Sequence, residues 1–118
     1  MKTLRNHVQL IGNLGKDVEC VTFENDRKKA SVSLATNEFY KDKKGELVQE
    51  TQWHNLVAWG KTADLMASAL KKGHEVAVAG KLAYRNYEDK DGNKRFISEV
   101  VVREFLRITR ENNENVPF

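Results

Sequence analysis

Cysteine and proline are nearly missing from this chain of 118 residues, which has one of each, Cys20 and Pro117. A lone cysteine excludes an intramolecular disulfide. It also leaves any zinc site to be assembled from one thiolate and the dispersed His7, His54 and His74, so no metal or other cofactor is expected. Cys20 reads instead as a small hydrophobe packed beside Val18 or Val21. No apolar run approaches the roughly 20 residues that a membrane span requires. The opening Met-Lys-Thr-Leu-Arg-Asn-His carries charge but lacks the apolar stretch of a secretory leader, so a cytoplasmic location without a membrane partner is expected. Clustered carboxylates of the kind that hold catalytic metal ions are lacking too, because the acids are scattered or sit in turns, which argues against a nuclease or another enzyme.

Charged residues make up 31% of the chain against 40% hydrophobic, a balance that suits a soluble domain, and the length suits one core rather than two. Net charge is +3 with a pI near 9.0, a mild basic bias compatible with a polyanionic partner. Its distribution says more than its size. All 20 Lys and Arg lie within residues 1–110, and residues 111–118 carry only Glu111 and Glu114. A basic domain over 1–109 followed by a short acidic tail over 110–118 is the expected organisation.

Most of the chain alternates in the manner of β-strands. His7 to Leu14 places Val8, Leu10 and Leu14 on one face, with Gly12 and Gly15 marking a bend or bulge of the sort small closed barrels need. Val18 to Phe23 is a short second segment ending in the turn Glu24-Asn25-Asp26. Lys29 to Tyr40 is a long strand in which Ala30, Val32, Leu34, Thr36, Glu38 and Tyr40 share a face that is apolar in its first half. Lys41-Asp42-Lys43-Lys44-Gly45-Glu46 is a charged loop, read as a solvated hairpin tip in preference to a flexible cationic arm. After the strand Glu50 to Gly60, Leu65, Met66, Ala69 and Leu70 recur at helical spacing, opened at Lys61 or Thr62 and closed by Gly73. Strands resume over Val76 to Tyr87 and Arg95 to Ile108, joined by Asp89-Lys90-Asp91-Gly92-Asn93, which lacks the later ligands of a calcium loop and reads as a hairpin turn. In the last strand Phe96, Val100 and Val102 fall on one face and Ile97, Val101 and Phe105 on the other, apolar on both sides as at a subunit interface. Five long strands with one short helix between the third and fourth predict an all-β, five-stranded Greek-key barrel, the OB-fold. Sm-like and SH3-like barrels compete, but their strands are shorter and their helix falls elsewhere.

The two tryptophans, Trp53 and Trp59, are six residues apart, and an even spacing in a strand puts both indoles on one face, opposite Leu56 and Ala58. Two readings stay open from the strand alone: a stacking platform, or a strand buried on both faces. On an OB-fold the ligand face is built by the middle strands, where Tyr40, Trp53, Trp59 and Tyr87 collect among Lys41, Lys43, Lys44, Lys61, Lys81 and Arg85. Unpaired bases need faces to stack on and their phosphates need cations along the path, so this interleaving suits single-stranded nucleic acid. Taken singly, Tyr40 and Tyr87 also fit as ordinary cross-strand aromatics. Phe39, Tyr84 and Phe96 could extend the surface, but Tyr84 and Phe96 are in phase with core residues and are expected inside.

These residues make the chain resemble the bacterial single-stranded DNA-binding proteins. Asn6 to Asp17, Ser33-Leu34-Ala35-Thr36-Asn37, Thr51-Gln52-Trp53-His54, Trp59-Gly60-Lys61, Leu70-Lys71-Lys72-Gly73, Val78 to Leu82 and Ser98 to Val102 follow in that family's order over about residues 4–109. The resemblance implies a non-catalytic homotetramer that binds single-stranded DNA without sequence preference during replication, recombination and repair, in the cytoplasm at the nucleoid. Carried over by position, it assigns stacking to Tyr40, Trp53, Trp59 and Tyr87, and phosphate contacts to Lys43, Lys61, Lys71, Lys72 and Arg85. It places His54 near a subunit interface. The tail residues Glu114, Val116, Pro117 and Phe118 would dock replication and repair proteins.

The chain departs from the family's pattern in several places. Tyr40 and Tyr87 stand where Trp is common, Trp59 where Phe is common, Asn55 and Asn86 where basic residues are common, and Val18 where Pro is frequent. Tyrosine still stacks, while each lost phosphate contact should flatten the salt dependence by roughly one unit. The tail keeps Val-Pro-Phe with almost no linker and few acids, so weaker or sterically restricted docking is expected. The alternative is an OB-fold adaptor of a primosome or of plasmid mobilisation that uses the same surface mainly for protein contacts.

Overall fold

The computed structural model describes residues 4–109; the tail residues Glu114, Val116, Pro117 and Phe118 lie outside that range. Six strands and one α-helix follow in the order β1 (Val8–Leu14), β2 (Glu19–Thr22), β3 (Lys28–Lys41), β4 (Leu47–Trp59), α1 (Gly60–Ala69), β5 (Glu75–Glu88) and β6 (Lys94–Ile108). The sheet runs β1-β5-β6-β4-β3, and a second pairing of β1 with β3 closes it into a barrel. The short β2 adds to the free edge of β3. This is the expected five-stranded barrel with its helix between the third and fourth long strands.

Closure depends on β1 changing partners. Val8 to Asn13 pair with β5, and Asn13 and Leu14 pair with β3. Gly12 stands at the hand-over, where a Cβ would run into the carbonyl oxygen of Ala35. The second tight approach is Gly80 against the carbonyl of Val101, beside a β-bulge. There Ala79 pairs with Glu104 but Gly80 with Val102, leaving Arg103 without an opposite number.

That bulge corrects the expected phase of β6. Val100 and Val102 are buried as the alternation predicts, but the extra residue rotates the strand, and Phe105, expected on the opposite face, packs against the core. The core itself holds Leu34, Leu56, Met66, Val76 and Val78 as its largest fully buried side chains.

The helix differs in detail from its expected form. Its buried face is Ala63, Met66 and, just beyond its end, Leu70, while Leu65 is half exposed. Gly73 adopts φ +89° but does not cap the helix, which ends when Leu70 turns extended. Its N–H bonds Leu14 O at 2.9 Å, tying the following loop to β1. Cys20 is exposed, contrary to expectation, because every residue of β2 lies outside the barrel wall.

Both long hairpins outrun the barrel. On β3 the buried positions stop at Ala35, so the remainder of the β3–β4 ribbon stands in solvent, and the same holds for the ends of β5 and β6 nearest their turn. This overturns the expectation for Tyr84 and Phe96. They keep the core phase, yet no core lies beneath them, and they are 71% and 76% exposed.

The two hairpin tips share one chemistry. Asp42 Oδ1 accepts the N–H groups of Lys44 and Glu46, and Asp89 Oδ1 those of Asp91 and Asn93, all at 2.9 Å. Gly45 and Gly92 supply the positive φ at matching positions. The Asp89 carboxyl is held below its ordinary pKa, first by the Arg95 side chain bonded to it and then by these turn N–H groups. Both loops are therefore built turns, and the segment after Tyr40 is a hairpin tip.

Gly12→Ala is expected to destabilise the domain by about 1–3 kcal/mol through overpacking at the barrel seam. A lower urea midpoint at unchanged slope would show it. A midpoint equal to that of the parent would mean that β1 and β3 can separate freely.

Candidate nucleic-acid interface

The β3–β4 ladder pairs Lys29 with Trp59, Ser31 with Val57, Ser33 with Asn55, Ala35 with Trp53, Asn37 with Thr51 and Phe39 with Gln49. Paired residues share a face, so these side chains line the outer side of the barrel wall, and Leu34, Leu56 and Ala58 line the inner. The two indoles thus stand about 20 Å apart along one strand. Small residues between them form a shallow floor.

Trp53 is 62% exposed, and its six-membered ring lies against Gly15, where any Cβ would collide with it. Gly15, one residue past the end of β1, therefore seats an aromatic ring as well as marking the corner after the strand. Trp59 is half buried. Phe23 stacks beside it, ring centroids 6.2 Å apart at 29°. The guanidinium carbon of Arg27 lies 4.3 Å from the indole centroid and Lys29 Nζ 5.5 Å. A cation over an exposed indole contributes about 0.5–1 kcal/mol. Neither tryptophan is buried on both sides of its strand in this chain.

The face continues onto β6 and β5. Val57 pairs with Val101 across the parallel β4–β6 contact, and on β5–β6 the matching pairs are Lys81 with Val101, Ala83 with Glu99, Arg85 with Ile97 and Tyr87 with Arg95. A groove of about 230 Å³ runs over this wall, lined among others by Lys16, Lys29, Ser31, Ser33, Asn55 and Arg85.

Trp53, Trp59, Tyr87 and Arg85 therefore share one face. Tyr40 does not, because it is paired with Val48 on the inner phase of the ribbon, and Phe39, 60% exposed, takes the outer phase beside it. Lys43 sits at the far hairpin tip, roughly 40 Å along the ladder from Trp59. Lys61 lies exposed in the first turn of α1. Lys71 and Lys72 lie exposed in the loop after the helix, and the N–H of Lys72 bonds Asp17 Oδ1 at 2.8 Å, next to Lys16. His54 is half buried on the inner phase, its Nε2 2.9 Å from Thr36 Oγ1.

Arg85 is not a free cation. Its Nε and Nη2 donate to the two carboxylate oxygens of Glu99 at 3.4 and 3.3 Å, and Glu99, only 8% exposed, is the one buried charged residue among those described. Sequence reasoning missed Glu99 because the guanidinium that partners it comes from β5, a pairing that no pattern within β6 shows. It missed Lys16, Phe23, Arg27 and Lys29 for a different reason: they belong to β3, its preceding turn and the β1–β2 corner. The parity of Lys29 with Ser31 and Ser33 was the available signal. Lys28, between Arg27 and Lys29, turns to the helix and bonds both carboxylate oxygens of Asp64 at 2.8 and 3.1 Å. That carboxylate raises the lysine above its ordinary pKa, chiefly through the hydrogen bond.

Arg85→Ala would leave the Glu99 carboxylate buried without a partner, a loss of about 1–3 kcal/mol. In a Glu99→Gln background the same change should cost little. Urea denaturation of the four proteins reads the coupling, and equal losses in both backgrounds would contradict the pairing.

Comparison with known proteins bears on the family and the fold. Residues 5–108 match the Single-strand binding protein family. A protein of Chlorobaculum tepidum named Single-stranded DNA-binding protein 1 is 42% identical over 97 residues, 81% of this chain and 60% of that protein. One of the same name from Xylella fastidiosa is 37% identical over 111 residues, 93% of this chain and 82% of its own length. Among solved structures, a Plasmodium falciparum SSB in complex with ssDNA superposes with a TM-score of 0.81 at 30% identity, covering 88% of this chain and 95% of that one. A barrel whose outer wall carries spaced indoles among cations thus meets a sequence match over nearly all its length, and the chain belongs to the single-strand binding protein family.

Proposed function

We propose that this chain binds single-stranded DNA without sequence preference and acts as a binding protein, not an enzyme, keeping the strand protected during replication, recombination and repair. One observation carries the reading: Trp53, Trp59 and Tyr87 stand on a single continuous face, over a floor of Ser31, Ser33, Asn55 and Val57, with Lys16, Lys29 and Arg85 around the groove. The small floor lets a backbone lie close to the wall, the rings offer sequence-tolerant stacking, and the cations neutralise phosphates.

In this reading Lys61, Lys71 and Lys72 extend the cationic path past the barrel end, and Lys43 and Tyr40 meet the strand where it runs out along the β3–β4 ribbon. A homotetramer, with His54 near a subunit contact, would wind the strand from one copy to the next. The tail residues Glu114, Val116, Pro117 and Phe118 would recruit replication and repair proteins. The protein would work in the cytoplasm at the nucleoid. Resemblance to the family supports these assignments, and the exposed ribbons supply the surface.

Titration with oligo-pyrimidine single strand should quench tryptophan fluorescence, whereas a duplex of equal length should not, and the single-strand affinity should fall as salt rises. Trp53→Ala and Trp59→Ala should each weaken binding by about 1–3 kcal/mol, the magnitude general to base–aromatic stacking in single-strand binding proteins as a class. Equal quenching by duplex and single strand, or unchanged affinity in both variants, would reject the stacking face.

A further inference from the structure

The turn that leads into β3 carries two successive non-glycine residues in the left-handed region, Asn25 at φ 73° and Asp26 at φ 60°. Asn and Asp tolerate that region best, yet a pair of them is costly and persists only where the surroundings hold it. Here the hold is a hydrogen bond from Phe23 N–H to Arg27 O at 2.7 Å, which closes the turn on itself. Its two ends are the residues that converge on Trp59, Phe23 by ring stacking and Arg27 by its guanidinium. The run Arg27-Lys28-Lys29 is split by its contacts: Arg27 and Lys29 approach the indole, and Lys28 is turned away to Asp64.

We propose that Phe23 and Arg27 form an exchangeable cover over Trp59. When a nucleobase stacks on the indole, the guanidinium leaves the ring face and takes up the phosphate of that nucleotide, while Phe23 flanks the base. This rests on the single-stranded DNA reading above and assigns to it two residues from outside the ladder. The exchange runs toward the base because stacking exceeds the worth of an exposed cation–π contact. The released guanidinium loses nothing by it, since a planar fork matches phosphate oxygens better than a ring face. Until then the cover keeps an indole from lying bare on the surface, and the closed turn keeps Arg27 within reach.

The test uses the full chain with Trp53→Phe, so that Trp59 is the sole tryptophan fluorophore. In the free protein, Arg27→Ala should raise quenching of Trp59 by acrylamide. With oligo-dT, the same variant should bind several-fold more weakly at moderate salt, and its plot of log affinity against log salt should be shallower by about 0.7, the contribution of one phosphate contact on a single strand. Phe23→Ala should weaken binding several-fold without changing that slope. Phe23 and Arg27 are both exposed, and circular dichroism verifies that the variants stay folded. Unchanged acrylamide quenching in Arg27→Ala would overturn the cover, and greater quenching with an unchanged slope would overturn the exchange. Failure of the parent chain to bind oligo-dT at all would overturn the DNA reading itself and the exchange with it, while the acrylamide measurement on the Trp53→Phe protein still decides the cover.

Discussion

The unbroken antiparallel pairing of β3 with β4, from Lys29 opposite Trp59 to Lys41 opposite Leu47, sets the position of both tryptophans on the proposed DNA face. Strand periodicity is two, so a slip of β4 by one residue would exchange its faces, turning Trp53 and Trp59 into the core and Leu56 and Ala58 into solvent. Burial of Ala30, Val32, Leu34, Leu56 and Ala58 is what forbids that slip. The hydrophobic core thus fixes the aim of the tryptophans. Gly12 in β1 and Gly15 just after it act on the same ladder, the first by letting the barrel close against Ala35 and the second by seating the Trp53 ring.

The electrostatics of the face are more selective than the net charge suggests. Of the three consecutive cations at residues 27–29, one is neutralised by Asp64 and two stand at an indole. Arg85, in the middle of the groove, is held by Glu99. A buried carboxylate there orients the guanidinium and lowers the local positive potential, so the groove presents positioned donors more than raw charge. Further cations lie beyond it, at Lys61 on the helix, Lys71 and Lys72 in the loop that follows and Lys43 at the hairpin tip, which suits a strand that passes across the barrel.

The barrel and the direction of its tryptophans were legible in the sequence, because long alternating strands, one helical interval and an even Trp spacing are local patterns. Tyr40 was half legible: its parity with Ala30, Val32 and Leu34 already separates it from the tryptophan face, and only its nearness in sequence joins it to them. Tyr84 and Phe96 were misread because phase tells which side a residue faces and not where the barrel ends. Phe105 was misread because a bulge at Arg103 is set by the partner strand, through the close contact of Gly80 with Val101. The convergence of Phe23 and Arg27 on Trp59 joins residues distant in the chain, and no periodicity carries that information.

Chemical-shift mapping of ¹⁵N-labelled protein by NMR tests the central claim most directly, because it reads which side of the β3–β4 ladder meets the strand. Addition of oligo-dT should move both indole N–H signals together with the backbone signals of Ser31, Ser33, Asn55 and Arg85, and leave Tyr84 and Phe96 near their free positions. Shifts concentrated at Tyr84 and Phe96, with the two indoles unmoved, would place the strand on the opposite face and contradict the account.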